Sequence, residues 1–182
     1  MAITRSLFVV THPEARHHLE ARVGGWHDSE LTVRGELQAD LIAAELRSRI
    51  PSTASAQVFT SDLMRTRTTA EVIADRLGSR AIELRGLREK SYGVAETRRE
   101  AGARVYATVD EVLARQSSHQ VVVTHGFTHT FVIGRWLELP LEAMGRATFA
   151  AQPGCITELT EDDLFGNRTL RSLAAVDHLG DS

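Results

Sequence analysis

A chain of 182 residues, 42% hydrophobic and 25% charged, is long enough to bury a core of its own and reads as a single domain spanning residues 1–182. Its 21 basic and 24 acidic residues leave a formal charge of -3 with neither sign gathered into a long block, which excludes general nucleic-acid binding and confines any anion site to a local cluster. Cys155 is the single cysteine, so an intrachain disulfide is excluded, and no apolar run approaches the roughly 18 residues needed to cross a bilayer. Met1-Ala2-Ile3-Thr4-Arg5 runs straight into a strand-like segment, and the expectation is a cytoplasmic protein with no membrane partner.

Short apolar runs alternate with helical patterns along the chain, the signature of βα units around a largely parallel sheet. The first strand is Leu7 to Val10. A helix follows Leu31-Thr32, with Thr32 as its N-cap and Leu37, Leu41 and Ala44 spaced for one buried face, and Pro51 closes that unit. Gln57 to Thr60 reads as the next strand. Ser61-Asp62 then caps a helix whose apolar stripe is Leu63, Thr66, Ala70, Ile73 and Leu77, ending at Gly78. A short strand near Ala81 to Leu84 precedes an amphipathic helix marked by Val105, Val109, Val112 and Leu113. That helix leads into the buried strand Val121-Val122-Val123. Thr128 to Leu137 reads as a helix ended before Pro140, and two edge strands are expected around Cys155 to Leu159 and Thr169 to Val176.

Two strand ends echo one another, since Val9-Val10-Thr11-His12 and Val122-Val123-Thr124-His125 both close on Thr-His. Ligands of open α/β sheets bind beyond the carboxyl ends of the strands, where both histidines would lie.

Around these histidines the residues fall into an ordered pattern. Gly25-Trp26-x-Asp28 precedes Leu31-Thr32-x-x-Gly35-x-x-Gln38-Ala39; then come Thr60-Ser61-Asp62-Leu63-x-Arg65-x-x-x-Thr69-Ala70, Leu87-Arg88-Glu89-x-x-x-Gly93 and Val123-Thr124-His125-Gly126. Over residues 5 to 137 this resembles the histidine phosphatase (phosphoglycerate mutase-like) superfamily. The resemblance implies a three-layer α/β/α sandwich with a mostly parallel central sheet. It also implies covalent catalysis, in which His12 attacks phosphorus and becomes a phosphohistidine that water or a second acceptor discharges. His125 matches the second family histidine, which donates to a phosphoryl oxygen. Glu89 matches the acid that protonates the leaving oxygen, and Arg65 matches a phosphate-clamping arginine. Phosphoryl transfer depends on in-line positioning and on cancelling charge over the equatorial oxygens, and the helix start at Gly126-Phe127 offers amide donors for that purpose.

The sequence departs from the family at the nucleophile. The usual Arg-His-Gly reads Thr11-His12-Pro13, so a phosphate-binding arginine is absent and Thr11 offers only a hydroxyl and an amide. Pro13 removes another amide donor. His18 stands where the family usually has asparagine, Arg16 and Arg22 flank it, and Arg22 matches a family basic position. His18 or Arg16 is therefore expected to restore part of the missing charge, with Thr11, Arg16, His18, Arg22, Gly25, Gly126 and Phe127 as the substrate-binding set. Residues 90–124, between Glu89 and His125, form a much shorter cap than the mutases carry, which favours an open site and hydrolysis over transfer.

Plainer roles compete for several residues. His125-x-x-x-His129 has helical ligand spacing for a metal, but no neighbouring helical glutamate or cysteine completes a set, so no metal and no cofactor is expected. Trp26 reads as packing and Cys155 as a small buried hydrophobe. The sequence thus points to a metal-independent phosphomonoesterase for a phosphorylated small molecule. The first alternative is a weakened family member that binds a phosphorylated ligand or protein, and the second a phosphoglycerate-type mutase. Substrate and oligomeric state stay open.

Overall fold

Alternate residues of β1 (Ile3–Thr11) feed two separate cores, and that division sets the architecture. Successive strand side chains point to opposite faces. Leu7 and Val9 join one cluster, while Phe8 and Val10 join the other. The computed structural model describes residues 3–92 and 96–180. Gly93, the last residue of the Glu89 motif, lies outside the described residues.

The helices are α1 (Arg16–Leu19), α2 (Val33–Arg49), α3 (Met64–Leu77), α4 (Arg98–Leu113) and α5 (Gly126–Trp136). The remaining strands are β2 (Ala56–Thr60), β3 (Ala81–Glu83), β4 (His119–Thr124), β5 (Ile156–Asp162) and β6 (Arg168–Ala175). They form one sheet in the order β3-β2-β4-β1-β5-β6. The pairs β1/β4, β2/β4 and β2/β3 are parallel, and β1/β5 and β5/β6 are antiparallel. On one face Val105, Val109 and Val112 of α4 and Phe131, Val132 and Trp136 of α5 pack on Leu7, Phe59 and Val122. On the other, Ile42 and Leu46 of α2 and Ala70 and Ile73 of α3 pack on Val10, Val58 and Val121. Helices therefore cover both faces, as expected for a three-layer sandwich. No helix among the described residues is long and apolar enough to cross a membrane.

Four local expectations need correction. In α2, Leu37 and Leu41 are 63% and 39% exposed and Ala44 is exposed too; the buried face runs through Gly35, Gln38, Ala39, Ile42, Ala43 and Leu46. The helix carries apolar residues on two sides, and the side with the smaller ones faces α3 and the turn after β1, where close approach is needed. The first residue of α3 is Met64, not a residue capped by Ser61-Asp62. Leu63 takes the N-cap position, and the Asp28 carboxylate accepts from the Met64 amide at 2.6 Å. Ser61 and Asp62 are committed elsewhere, to His125 and Arg88. The apolar segment Thr128 to Leu137 starts two residues late: α5 begins at Gly126, where the amide donors of Gly126-Phe127 are expected, and His125 is the N-cap. Finally, β5 is an interior strand between β1 and β6, and only β6 of that pair is an edge.

The Leu31-Thr32-x-x-Gly35-x-x-Gln38 motif acquires a structural meaning here, because it grips the turn that follows His12. Thr32 donates its amide to the Glu14 carbonyl at 3.1 Å, and its hydroxyl donates to the Glu14 carboxylate at 2.6 Å. Gln38 Oε1 accepts from the Glu14 amide at 3.1 Å. A Cβ on Gly35 would overlap the Glu14 carbonyl oxygen, so only glycine lets α2 approach this closely.

The corrected face of α2 has a direct test in urea unfolding. Ile42→Ala should cost about 2–5 kcal/mol, as for a truncated core side chain, whereas Leu37→Ala should change stability by no more than about 0.5 kcal/mol.

Candidate active site

The Thr-His echo is a matter of register, because β1 and β4 are parallel neighbours with Thr11 opposite Thr124. His12 and His125 therefore leave the sheet side by side, their ring centroids 5.3 Å apart in an edge-to-face arrangement. The His12 amide donates to the Thr124 carbonyl at 3.0 Å, tying the two strand ends together. Both rings are buried, at 6% and 1% exposure.

The backbone settles the tautomer of His12. Nδ1 lies 2.9 Å from the Pro13 carbonyl, which can only accept, so Nδ1 carries the proton and Nε2 keeps its lone pair. Arg65 Nε donates to that lone pair at 3.2 Å. The other arms of the Arg65 guanidinium donate to the carbonyls of His27 at 2.7 Å and Gly25 at 2.8 Å. Burial lowers Arg65 to about 10, with Glu89 and Asp28 opposing the fall, so it remains a cation at neutral pH. Burial, and next to it the Arg65 charge, push His12 well below the ordinary histidine range, so its ring is neutral.

His125 meets the Ser61 hydroxyl through Nε2 at 2.9 Å, and Ser61 in turn meets the Thr66 hydroxyl at 2.6 Å. His125 Nδ1 is a buried ring nitrogen without a hydrogen-bond partner among the described residues. Glu89 reaches the same region from the turn after Leu87. Its carboxylate oxygens accept from the amides of Lys90 at 2.8 Å and Phe127 at 3.1 Å. Burial raises the Glu89 carboxyl above the ordinary glutamate range despite those two amides. Arg104 holds the turn in place, donating to the carbonyls of Gly86, Arg88 and Glu89 while paired with Glu96.

These groups line one cavity of about 280 Å³. Of the residues singled out from the sequence, Thr11, His12, His18, Arg22, Gly25, Arg65, Glu89, His125 and Gly126 line it. Arg16 and Phe127 do not. Arg16 is exposed and paired with Glu30 at 3.4 Å, and Phe127 contributes its amide, which is bound to Glu89. Thr11 lines the wall but has neither donor to spare: its amide donates to the Cys155 carbonyl at 3.1 Å and its hydroxyl to the Gln152 carbonyl at 2.5 Å. Cys155 is buried and free, as a small hydrophobe should be. His129 is likewise internal, its Nε2 meeting the Thr157 hydroxyl at 2.8 Å, away from the cavity lining. Trp26 does more than pack, since its indole N–H donates to the Glu89 carbonyl at 2.7 Å and its ring lies beneath Arg88.

Other lining residues carry little or no signal in the sequence. His17, 4% exposed, meets Ser29 Oγ through Nδ1 at 2.7 Å, and burial lowers it to about 4. Tyr92, Gln152 and Pro153 complete the rim. Only His17 has a signal to offer, its adjacency to His18 after the strand-end histidine. The wall residues come from distant segments with no local pattern.

Comparison with known proteins agrees with this geometry. The family model described as histidine phosphatase superfamily (branch 1) matches residues 7–102 and 94–171. A Yersinia enterocolitica protein named "Probable phosphoglycerate mutase GpmB" is 40% identical over 92 residues, which cover 50% of this chain and 41% of that protein. The chain thus spans less than half the length of the curated relatives it matches. Among solved structures, a mycobacterial glucosyl-3-phosphoglycerate phosphatase complexed with VO3 superimposes with a TM-score of 0.76 at 20% identity, covering 94% of this chain and all of that one. Phosphoserine phosphatase of Entamoeba histolytica, in complex with 3-phosphoglyceric acid, gives a TM-score of 0.70 at 19% identity, covering 96% of this chain and 99% of that one. At such identities the likeness concerns the fold.

The double use of the Thr11 hydroxyl, which also accepts from the Cys155 amide at 3.1 Å, generates a stability prediction. Thr11→Val leaves the Gln152 carbonyl and the Cys155 amide with only their mutual bond of 3.1 Å and should cost about 0.5–1.5 kcal/mol in urea unfolding; an unchanged midpoint would remove Thr11 from that role.

Proposed function

Because the chain belongs to the histidine phosphatase superfamily, we propose that it is a phosphomonoester hydrolase working through a phosphohistidine on His12, without a metal ion, on a phosphorylated small molecule. The observation that carries this reading is the state of His12: a neutral ring with its proton held on Nδ1 by the Pro13 carbonyl and its Nε2 lone pair facing the buried Arg65 cation. That is an activated nucleophile beside an anion-binding group.

In the first half of the reaction, His12 Nε2 forms a bond to phosphorus as the bond from phosphorus to the substrate oxygen breaks. Glu89, raised above the ordinary glutamate range by burial, gives a proton to that leaving oxygen. Arg65 Nε transfers its hydrogen bond from His12 to a phosphoryl oxygen, and His125 Nδ1 donates to another. Charge on the equatorial oxygens is thereby met by groups already in place. In the second half Glu89, now a carboxylate, takes a proton from water as the water oxygen attacks phosphorus and His12 departs. Arg22 and His18 line the same cavity, where Arg22 supplies positive potential. His18 contributes as a donor through Nε2, because its Nδ1 accepts from the Ala15 amide at 3.2 Å.

One observation favours the second reading, a family member that binds a phosphorylated ligand without turning it over. The residue in place of the family arginine has both donors committed to the 152–155 segment, so no replacement cation stands at position 11.

Assays against a panel of phosphomonoesters in EDTA separate the two. Phosphate release and an acid-labile phosphoenzyme, both lost in His12→Ala, are the expected result; ligand binding with no release across the panel would favour the binding protein. Glu89 also predicts the pH profile. Its acid is present below its raised pKa and lost as pH rises through that value, so kcat should fall on the alkaline side. Glu89→Gln should lower kcat by about 10²–10⁴-fold and remove that limb.

A further inference from the structure

We propose that His12, His17 and His18 form a binding site for one borderline-soft divalent cation, Zn²⁺ foremost, and that its occupancy blocks the chemistry of His12. One ring nitrogen from each of the three side chains lies within 4.8 Å of the others. The rings are in mutual contact, His12 stacked on His18 at 5.4 Å and 14° and His17 against His18 at 4.1 Å. Among the described residues no carboxylate joins the set. An all-imidazole donor set suits Zn²⁺, Cu²⁺ or Ni²⁺ and disfavours Mg²⁺ and Ca²⁺, which take oxygen ligands.

Two of the three rings are already oriented as metal ligands are. A ligating histidine commits its remote nitrogen to a carbonyl, carboxylate or hydroxyl, which directs the other nitrogen to the metal. His12 does this through the Pro13 carbonyl at 2.9 Å and His17 through Ser29 Oγ at 2.7 Å, which turns Nε2 of each away from those anchors, that of His12 being held by Arg65. Both rings and Ser29 are buried, so the arrangement is set before any metal arrives. His18 is exposed on the short α1 and held by one bond of 3.2 Å from the Ala15 amide, which makes it the ring that moves. Tetrahedral Zn–N bonds of about 2.0–2.1 Å place ligating nitrogens roughly 3.3 Å apart. His18 must therefore swing inward and exchange its Ala15 bond for the metal.

Arg65 opposes this site, and the opposition predicts its character. Its Nε–H occupies the His12 lone pair, and its charge sits beside the three rings. Coordination must displace that hydrogen bond, so the cation competes with Arg65 for the same electron pair that would attack phosphorus. The expected result is a reversible, inhibitory site. The metal-binding arm stands whether or not the chain is a phosphatase, and the inhibition arm rests on that reading.

The test titrates the metal-stripped full chain with Zn²⁺ alone by calorimetry and with Co²⁺ by visible absorption. One saturable Zn²⁺ site per chain is expected, with a tetrahedral Co²⁺ spectrum and no response to Mg²⁺. His18→Asn, at an exposed position, and His17→Gln should each weaken Zn²⁺ at least tenfold with an unchanged circular dichroism spectrum. Absence of saturable binding, or equal affinity in the His17→Gln/His18→Asn double variant, would overturn the site. If phosphatase activity is found, Zn²⁺ should abolish it and EDTA restore it; full turnover at saturating Zn²⁺ would overturn the blocking role. A chain that binds Zn²⁺ through these residues but releases no phosphate would keep the site and discard the phosphatase reading.

Discussion

A buried guanidinium organises everything at the carboxyl end of this sheet. Arg65 is 1% exposed, and burying such a charge is tolerable only when its donors are met. They are met by His12 Nε2 and by the carbonyls of Gly25 and His27, so one side chain joins α3, β1 and the 24–28 loop. The same loop returns the support through Asp28, which accepts from the first amide of α3 and whose charge favours the cation. The helix that presents Arg65 is thus capped by the loop that Arg65 holds. Loss of either partner would leave the other with unsatisfied polar groups in a nearly dry place, which is why helix, loop and His12 behave as one unit.

Parallel register explains the rest of the wall. The repeated Thr-His puts two threonines opposite one another as well as two histidines, and each threonine secures a wall segment. The Thr124 hydroxyl donates to the Leu87 carbonyl at 2.9 Å, two residues before Glu89. The Thr11 hydroxyl donates to the Gln152 carbonyl on the opposite side. What reads along the chain as the loss of an arginine is, in the fold, a second copy of the device that positions Glu89. Position 11 thus anchors the wall and carries no charge.

Much of this is legible in the sequence, and the reason is local. Strands β1, β2 and β4 carry short continuous apolar runs, as strands buried on both faces do, and the histidines at two of their ends fall together once the sheet is parallel. The ordered motifs resembling the histidine phosphatase superfamily locate Arg65 and Glu89. The features the sequence does not reveal are set by tertiary partners. The outer face of α2 carries Val33, Leu37 and Leu41 and so looks as apolar as the inner one; the choice between them is made by Gly35 and Gln38, which must meet Glu14. Ser61 reads as a helix cap but is claimed by His125 and Thr66, leaving the cap to Asp28, far back in the chain. Arg104 and Gln152 have no local pattern, because each acts on a loop remote in sequence.

The tautomer of His12 and the charge of its surroundings depend on different atoms, and the two departures at the nucleophile act on them separately. The His12 proton is set by a backbone carbonyl that proline supplies as well as glycine does, so Pro13 leaves the tautomer of His12 unchanged. Position 11, by contrast, is where the family keeps a charge, and nothing at that position restores it. The cavity's standing cations are Arg65 and Arg22, while burial and the Arg65 field keep His12, His17 and His18 uncharged in the unliganded site. On the proposed reading, a phosphate dianion entering there would make protonation of the exposed His18 more favourable, so that part of the charge missing at position 11 would come from solvent on binding. A borderline-soft metal ion held by the same imidazoles would take that group out of service.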